Sequence, residues 1–319
     1  MIRLVSSNNN SSERANMDGA VPPPSPAFLE RLNQAAARVQ ATLDNLLPVA
    51  MGEEARLYDA IRYASLSPGK RLRPFLVLES ANLFHVSEDR ALRVAAVVEM
   101  VHCYSLIHDD LPAMDNSPLR RGQPTVHVAF DEATAILAGD GLLTYAFQLL
   151  ADEETHGDGN VRAELVRDLA IAAGPHGMVG GQMLDILGEG QPRDATQITR
   201  MQRLKTGMIM AFACQAGAVL GKASDSARQA LSAYAQNLGL AFQLTDDLLD
   251  VEGREVDMGK KTDQDRKAAK ATLVSIMGLE RARQQANVLA EQAISNLSYF
   301  DSGADNLKDL ARHIVTRRS

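Results

Sequence analysis

Apolar residues recur at intervals of three and four along nearly the whole chain, a spacing typical of amphipathic helices. The segments of helical length that show it are 28–47, 53–64, 73–84, 88–110, 132–153, 160–174, 195–221, 226–253, 278–297 and 305–318. Strand-like alternation is not sustained, and no Asn-Gly or Asp-Gly turn separates two β-branched runs. We therefore predict an all-α fold.

Several of these segments exceed twenty residues without an exposed polar half, so the helices have to surround one another. This indicates a large single-domain helical bundle with one or two central helices. The predicted domain is 27–319, because no linker follows residue 26. Residues 1–26 are polar, rich in Asn and Ser and then in Pro, and lack the apolar segment of a signal peptide. We predict a disordered N-terminal extension there.

Charge and cysteine usage narrow the partners and the compartment. The formal net charge of −7 argues against a nucleic-acid partner. Charged residues, among them Arg93 and Glu99, interrupt the apolar stretch 91–108, so we expect a core helix and no membrane partner. Cys103 and Cys214 stand alone without zinc-site spacing. This fits a reducing compartment, and we expect a cytoplasmic protein.

Asp246, Asp247 and Asp250 form one of two aspartate clusters. At positions i, i+1 and i+4 of a helix they lie on one side, where like charges destabilise the helix by about 0.2–0.5 kcal/mol per pair. The flanking Phe and Leu residues argue against an open polar face, although a solvated acidic patch remains an alternative. Carboxylates without His or Cys favour Mg²⁺ or Mn²⁺ over zinc, so we predict a divalent-metal site.

Asp109, Asp110 and Asp115 form the other cluster, at the end of the most apolar segment. Pro112 interrupts the helix between them, so the chain can turn Asp115 back toward Asp109. Mg²⁺ prefers one or two carboxylates together with waters and substrate phosphates. Two facing clusters would therefore hold several metal ions around a polyanion, and a diphosphate is the natural candidate.

Basic residues occur in four sets along the chain. The sets are Lys70, Arg71 and Arg73; Arg120 and Arg121; Lys205 with Thr206; and Lys260, Lys261, Lys267 and Lys270. Together with two aspartate clusters they indicate two anionic ligands, one bound through metal ions and the other directly. Arginine suits the direct site, since its guanidinium makes paired hydrogen bonds to phosphate.

These motifs, in this order, resemble those of the trans-isoprenyl diphosphate synthases. They are GKRLRP (69–74), HCYSLIHDDLPAMD (102–115), LRRGQPTVH (119–127), GDGLL (139–143), GGQMLDI (180–186), KTG (205–207) and FQLTDDLLD (242–250). The resemblance covers about residues 30–318. Paired aspartate motifs with LRRG after the first are highly specific for this family, whereas a single DDxxD is not.

The resemblance implies an isoprenoid-synthase-type bundle with a central active-site cavity, and a set of three Mg²⁺ ions that Mn²⁺ can replace. Both aspartate motifs would bind an allylic diphosphate through these ions. Direct contacts to that diphosphate would come from Arg120, Lys205, Lys260 and Lys270. Isopentenyl diphosphate would be held without metal by Lys70, Arg73, His102 and Arg121. Oxygen dipoles for the developing carbocation would come from Thr206 and Gln243.

The implied reaction is head-to-tail prenyl transfer, and the length of the product depends on the floor of the tail pocket. One helical turn rises about 5.4 Å, close to the length of one isoprene unit. The floor would therefore be formed by Ser105 and Tyr104, four and five residues before Asp109. An aromatic residue at this place resembles bacterial-type farnesyl diphosphate synthases, so we expect a C15 product, with C10 and C20 as alternatives. The resemblance and the long apolar segments 91–108 and 132–153 also lead us to expect a homodimer.

Three other interpretations are less well supported by the sequence. A di-iron carboxylate bundle needs ExxH on two helices, and Glu99 with His102 is the one match we find. A terpene cyclase would carry a different second metal motif and lack the isopentenyl site. A non-catalytic partner subunit would be expected to have lost an aspartate motif, and both are intact.

Overall fold

Helix α4 (Glu88–Asp109) lies in the middle of the computed structural model, with every side chain from Arg93 to Val101 buried. A helix buried on all sides needs neighbours on all sides. These neighbours are α1 (Pro26–Leu46), α3 (Leu72–Asn82), α6 (Glu132–Ala151) and α10 (Met208–Leu220). The predicted all-α class with a central helix is therefore confirmed.

The structure describes residues 21–49, 51–258 and 272–317. Its other elements are α2 (Ala55–Ser65), β1 (Leu119–Arg120), β2 (Gln123–Pro124), α5 (Val126–Ala129), α7 (Gly159–Ala173), α8 (Met178–Leu187), α9 (Ala195–Gln202), a π-helical turn (Arg203–Gly207), α11 (Asp225–Met258), α12 (Leu273–Met277), α13 (Leu279–Asn296), a 3₁₀ segment (Leu297–Ala304) and α14 (Asp305–Thr316). The strands β1 and β2 form an antiparallel hairpin in which Arg120 pairs with Gln123.

Two apolar clusters position the segments that carry the aspartates. The larger cluster surrounds α4 and includes α10, which approaches α3 so closely that a Cβ atom on Gly217 would lie 2.2 Å from the Ala81 nitrogen. The smaller cluster joins α11 to α12 and α13 through side chains such as Leu244 and Leu248. Leu244 precedes the second aspartate motif and Leu248 lies within it, so burial of one side of α11 fixes the direction of the aspartates on the other.

Side-chain caps set the beginnings of several helices. The Ser25 hydroxyl accepts a hydrogen bond from the Phe28 nitrogen at 3.1 Å, and Pro26 occupies the first helical position of α1. Asp131 caps α6 in the same way through the Thr134 nitrogen at 2.7 Å. Such caps satisfy backbone groups that no helical turn can reach.

The structure contains elements that periodicity did not predict. Helix α8 lies in the glycine-containing motif 180–186, where Gly weakens a helical pattern. The segment 195–221 is not one α-helix, because the π-helical turn Arg203–Gly207 divides it. The hairpin and the short helices α5 and α12 are too brief to show a period. Most of the predicted extension 1–26 lies outside the described residues, so that domain boundary stays a prediction.

Helices α4 and α6 are long and apolar enough to cross a membrane by length and composition alone. Within its most apolar window α4 is 72% buried, as the core-helix prediction requires, whereas α6 is 39% buried. The difference arises because α6 exposes one apolar face, including Ile136 and Leu137, at the surface of the bundle.

Candidate active site

The first aspartate cluster lies where α4 ends. After Pro112 the chain turns back, and the Asp115 backbone nitrogen donates a hydrogen bond to the Asp109 carbonyl oxygen at 2.8 Å, as the sequence predicted. Burial raises the pKa of Asp109 to about 6, and the negative charge of Asp115 adds to this effect, while Lys205 and Arg120 oppose it. Cations at this place would therefore favour the charged form of Asp109.

Asp110 differs from its neighbours because Arg120 already engages both of its oxygens. The Arg120 Nε lies 3.0 and 2.9 Å from the two carboxylate oxygens, and Nη2 lies 2.6 Å from Oδ1. Asp110 is buried, whereas Asp115 is exposed. The hairpin that carries Arg120 is thus joined to the end of α4 by a paired, charge-assisted hydrogen bond.

The second aspartate cluster lies on α11. The Asp246 carboxylate accepts a hydrogen bond from the Arg317 guanidinium, and the Asp247 Oδ2 accepts one from the Gln202 Nε2 at 2.9 Å. Burial raises the pKa of Asp247 to about 6, with Asp250 among the charges that add to it. Burial also raises the pKa of Asp246. These half-buried carboxylates argue against the solvated-patch alternative, although Asp250 itself is exposed.

The donor chemistry of the two clusters fits Mg²⁺. Within the described residues, no three His, Cys, Asp or Glu side chains converge into a complete metal site. The carboxylates of Asp109 and Asp247 are instead partly buried near other aspartates, and this burial raises the pKa of each to about 6. One or two carboxylates per ion, completed by waters and phosphate oxygens, is the arrangement that Mg²⁺ prefers.

Cations and a neutral histidine surround the place predicted for the metal-free diphosphate. The Arg73 guanidinium lies 6.0 Å from the centre of the Phe242 ring, and that of Arg317 lies 4.3 Å from the same ring. Burial and then the charges of Arg73 and Arg121 hold the pKa of His102 well below its ordinary value. Burial, Arg317 and Arg121 also lower the pKa of Lys70, while Asp246 opposes this. Because these positive charges repel one another, an anion bound between them would stabilise all of them, and the cluster is therefore suited to bind an anion.

Lys205 and Thr206 lie in the π-helical turn, a geometry that frequently marks functional sites in helices. The Lys205 Nζ lies 2.7 Å from the Asp185 Oδ2 on α8. The two backbones meet closely here, since a Cβ atom on Gly181 would lie 2.1 Å from the Lys205 nitrogen. The glycine in this motif therefore allows α8 to support the turn that carries the lysine.

A cavity of about 400 Å³ runs between α4, α8 and α10. Its lining includes several predicted site residues: Arg73, His102, Tyr104, Ser105, Asp109, Lys205 and Thr206. Apolar side chains such as Met178 and Ile209 form much of the remaining wall. The Tyr104 ring is 5% exposed and meets the His108 ring edge-to-face at 5.8 Å between centroids. Beyond it, Met100 and Val101 are fully buried.

The structure does not bring every predicted residue to this cavity. Gln243 is half-buried on α11, and the described lining of the cavity does not include it. Arg120 and Arg121 line a second, smaller space beside His102. Lys260 and Lys270 lie outside the described residues. The Glu99 carboxylate that a di-iron site would need is buried in an ion pair with Arg71.

Sequence reasoning missed three side chains of the site: Arg317, Asp185 and Gln202. Asp185 stands in the quoted GGQMLDI motif, and its spacing of twenty residues from Lys205 gives no sign of their contact. Gln202 lies three residues before Lys205, on the predicted helix 195–221 and outside the quoted KTG motif. Arg317 is a basic residue directly after the last helix, which is the one available signal for it.

The chain is similar to known proteins over most of its length. A family model described as polyprenyl synthetase matches residues 54–303. The farnesyl diphosphate synthase of Geobacillus stearothermophilus is 42% identical over 287 residues, which cover 90% of this chain and 96% of that protein. The geranylgeranyl diphosphate synthase of Cyanophora paradoxa is 39% identical over 282 residues, 88% of this chain and 93% of that protein. An FPP/GFPP synthase from Zymomonas mobilis, solved as an apo structure, matches with a TM-score of 0.83 and 46% identity, covering 91% of this chain and 99% of that one.

Proposed function

Since the chain belongs to the polyprenyl synthetase family and is a prenyltransferase that elongates prenyl chains, we propose that it makes (2E,6E)-farnesyl diphosphate. The substrates in this proposal are isopentenyl diphosphate and the allylic dimethylallyl and geranyl diphosphates. The observation that carries it is the cavity of about 400 Å³, with Asp109, Lys205 and Tyr104 in its wall. One cavity thus combines groups for a diphosphate with apolar walls for a prenyl tail.

Mg²⁺ fits the two clusters, and we assign Asp109, Asp115, Asp246 and Asp250 as the groups that would hold it. When bound, Mg²⁺ neutralises charge on the leaving diphosphate. Asp110 and Asp247 are proposed as further ligands. Like Asp246, which accepts a hydrogen bond from Arg317, they accept one in the structure, Asp110 from Arg120 and Asp247 from Gln202. Their direct coordination stays a prediction, and holding Arg120 in place is a role that Asp110 fulfils in the structure.

The chain's own residues stabilise the charge separation. As the allylic C1–O bond breaks, its electron pair leaves with the diphosphate, and Lys205 and Arg120 stabilise this charge. Thr206 lies next to Lys205 in the cavity wall, and its hydroxyl oxygen would stabilise the developing carbocation. Apolar side chains such as Ile209 exclude water from the cation.

The second substrate enters beside the first. Lys70, Arg73 and Arg121 would bind isopentenyl diphosphate directly, with the neutral His102 as a hydrogen-bonding partner. Its double bond attacks the allylic C1 and forms the new C–C bond. The resulting tertiary cation then loses a proton, and the released diphosphate accepts it. The reaction needs no nucleophilic side chain.

Tyr104 supports the C15 product length, because its ring is nearly inaccessible and lies against the tail cavity. A C20 product is the second candidate, favoured by the similarity to the Cyanophora paradoxa synthase. Incubation with labelled isopentenyl diphosphate, followed by separation of products by chain length, decides between them. EDTA should abolish turnover, and Asp109→Ala should lower it by orders of magnitude in a folded protein. Full activity in EDTA would contradict the metal assignment.

We also propose a homodimer. Helix α6 exposes Ile136 and Leu137, at 44% and 58% of their full accessible area, and α7 exposes Ile171 nearby at 45%. A second copy that covers this face would remove these side chains from water. Sedimentation analysis should give a dimer mass for the wild type at micromolar concentration and a smaller mass for Leu137→Lys. A monomeric wild type would contradict the proposal.

A further inference from the structure

The three basic residues of the motif 69–74 do not act on the same side of the chain. Lys70 is exposed, and Arg73 lines the tail cavity. Arg71, between them, points into the protein core, where its side chain is 2% exposed. Its backbone has φ of 49°, a left-handed conformation that is uncommon for a residue other than Gly. A cation buried in this way requires a specific set of partners.

Arg71 finds these partners on three separate elements. Its Nη1 donates to the Glu99 carboxylate on α4. Its Nη2 lies 2.7 Å from the Gln40 Oε1 on α1, and 2.9 and 2.8 Å from the carbonyl oxygens of Ser65 and Ser67 at the end of α2. One guanidinium thus connects α1, α2 and α4 beneath the loop that precedes α3.

The same loop is held along its whole length. The Gln40 amide that accepts from Arg71 also donates from Nε2 to the Leu66 carbonyl at 2.9 Å. On the outer side, Arg121 donates to the Pro68 carbonyl at 2.5 Å. Four successive carbonyls, from Ser65 to Pro68, therefore each have a fixed donor. Lys70 comes two residues after Pro68, so these hydrogen bonds also determine its position.

Glu99 connects the loop 65–70, through Arg71, to the part of α4 that carries His102. It lies one helical turn before His102, so both side chains are on neighbouring parts of one face. Glu99 and His102 line the same small space beside Arg121. The ion pair therefore determines how far the loop with Lys70 stands from the helix with His102.

We propose that the buried pair Arg71–Glu99 is the positioning element of the metal-free diphosphate site: it holds Lys70, Arg73 and His102 at the mutual distances that isopentenyl diphosphate requires. Arg71 does not touch the substrate in this proposal. The inference rests on the proposed assignment of isopentenyl diphosphate to these side chains. The allylic site, built on Asp109 and Lys205, does not depend on the pair.

A purely electrostatic role of Glu99 makes the opposite prediction. Glu99 is a buried anion whose charge favours the cationic form of Arg73, so its removal would leave a more positive site. A more positive site with unchanged geometry binds a diphosphate more tightly. The positioning role instead predicts weaker binding in Glu99→Gln, because Arg71 and the loop lose their anchor.

Calorimetric titration of isopentenyl diphosphate in EDTA tests the proposal without metal and without turnover. For Glu99→Gln and Arg71→Met we expect the Kd to rise at least about tenfold, equivalent to about 1.4 kcal/mol. In steady-state assays the KM for geranyl diphosphate should change by less than about twofold, under 0.5 kcal/mol. Arg71→Lys keeps the positive charge but has fewer hydrogen-bond donors. Its Kd for isopentenyl diphosphate should therefore lie between those of the wild type and Arg71→Met.

A matched control separates positioning from stability. Arg93 lies six residues before Glu99 on α4 and binds Asp152 and Glu154 at 2.6 and 2.7 Å. Arg93→Met should lower the Tm and leave the Kd unchanged. Breaking one partner of a buried pair is destabilising, whereas replacing both by apolar residues is often neutral. Arg71→Met with Glu99→Met should therefore recover the Tm while the Kd stays raised.

The outcomes separate the two proposals. Three results would overturn the positioning role. They are a wild-type Kd for isopentenyl diphosphate in a folded variant of the pair, a lower Kd in Glu99→Gln, and an equal loss of affinity for both substrates. If wild-type protein itself does not bind isopentenyl diphosphate in EDTA, the assignment of the substrate fails, and the positioning proposal fails with it.

Discussion

The guanidinium of Arg317, directly after the last helix, donates to the carboxylate of Asp246 in the second aspartate motif. The same guanidinium lies over the Phe242 ring at 4.3 Å, and its side chain is 5% exposed. The Arg317 guanidinium thus binds the same carboxylate that we propose as a ligand of Mg²⁺. Metal binding at Asp246 has to displace or share this contact.

Arg317→Ala should tighten metal binding, because Asp246 then has no competing guanidinium. We expect the Kd for Mn²⁺, followed by electron paramagnetic resonance, to fall about threefold to tenfold, or ~0.7–1.4 kcal/mol. Arg312→Ala on the preceding helix α14, where Arg312 binds Asp309 at 2.7 Å, serves as the control and should not change this Kd. A weaker metal affinity in Arg317→Ala would show that the arginine supports the site instead of competing for it.

Arg73→Ala and Lys205→Ala should affect different steps. Arg73 belongs to the metal-free site, so its loss should raise the KM for isopentenyl diphosphate more than that for the allylic substrate. Lys205 is needed most as the diphosphate departs, so its loss should mainly lower kcat. Steady-state kinetics with each substrate varied in turn provides the comparison. Equal effects of both changes on both substrates would argue against two distinct anion sites.

His102 should make the folded protein sensitive to acid. Its pKa lies well below 6.5 in the folded state, mainly because of burial, and returns to the ordinary value on unfolding. Below pH 6.5 the unfolded chain therefore binds a proton that the folded protein does not, and stability falls as the pH decreases. His102→Gln, which is neutral in both states, should reduce this slope by up to about 1.4 kcal/mol per pH unit.

Urea denaturation at several pH values between about 5 and 7.5 measures this slope. The exposed His176 provides the comparison, and His176→Gln should leave the slope close to that of the wild type. A His102→Gln protein with an unchanged slope would mean that His102 is protonated in the folded protein as readily as in the unfolded chain.

Tyr104→Ala should lengthen the product. Removing the ring opens roughly one further helical turn, about 5.4 Å, toward the apolar Met100 and Val101. Products of C20 and longer should appear while turnover is largely kept, since the diphosphate groups are untouched. The truncation also costs about 3–5 kcal/mol of stability if the site does not collapse, so the Tm must be measured as well.

Tyr104→Phe is the matched control for this change, because it keeps the ring and loses only the hydroxyl. It should retain the C15 product. Should the folded Tyr104→Ala protein still stop at C15, Tyr104 is ordinary core packing and another side chain closes the cavity.

Much of the fold and of the site was predictable, for reasons that particular residues make clear. The run from Val94 to Val101 is apolar except for Glu99, so a buried central helix follows directly from its composition. Pro112 predicted the return of Asp115 toward Asp109, because a proline beyond the first turn interrupts a helix. These features depend on neighbours in sequence, which a single chain reveals.

The remaining features depend on contacts between distant residues. That Arg71 points away from its neighbours follows from a left-handed backbone and from acceptors on three other elements, of which Glu99 and Gln40 lie 28 and 31 residues away in sequence. The engagement of Asp110 by Arg120 follows from a hairpin of two residues per strand, too short to have a period. Gln243 and Lys205 lie on helices with similar patterns, and only packing determines which of them reaches the cavity.

The π-helical turn makes the region around Lys205 sensitive to the insertion or deletion of a single residue. In this turn the Met208 nitrogen bonds the Arg203 carbonyl, five residues back, so the segment holds one residue more than an α-helix of the same length. Deleting one residue here would convert the turn to a regular α-helix and change the directions in which Lys205 and Thr206 leave the backbone. A length change of a single residue is therefore more damaging in this turn than most substitutions, so we expect relatives of this chain to differ here in residue identity and not in length.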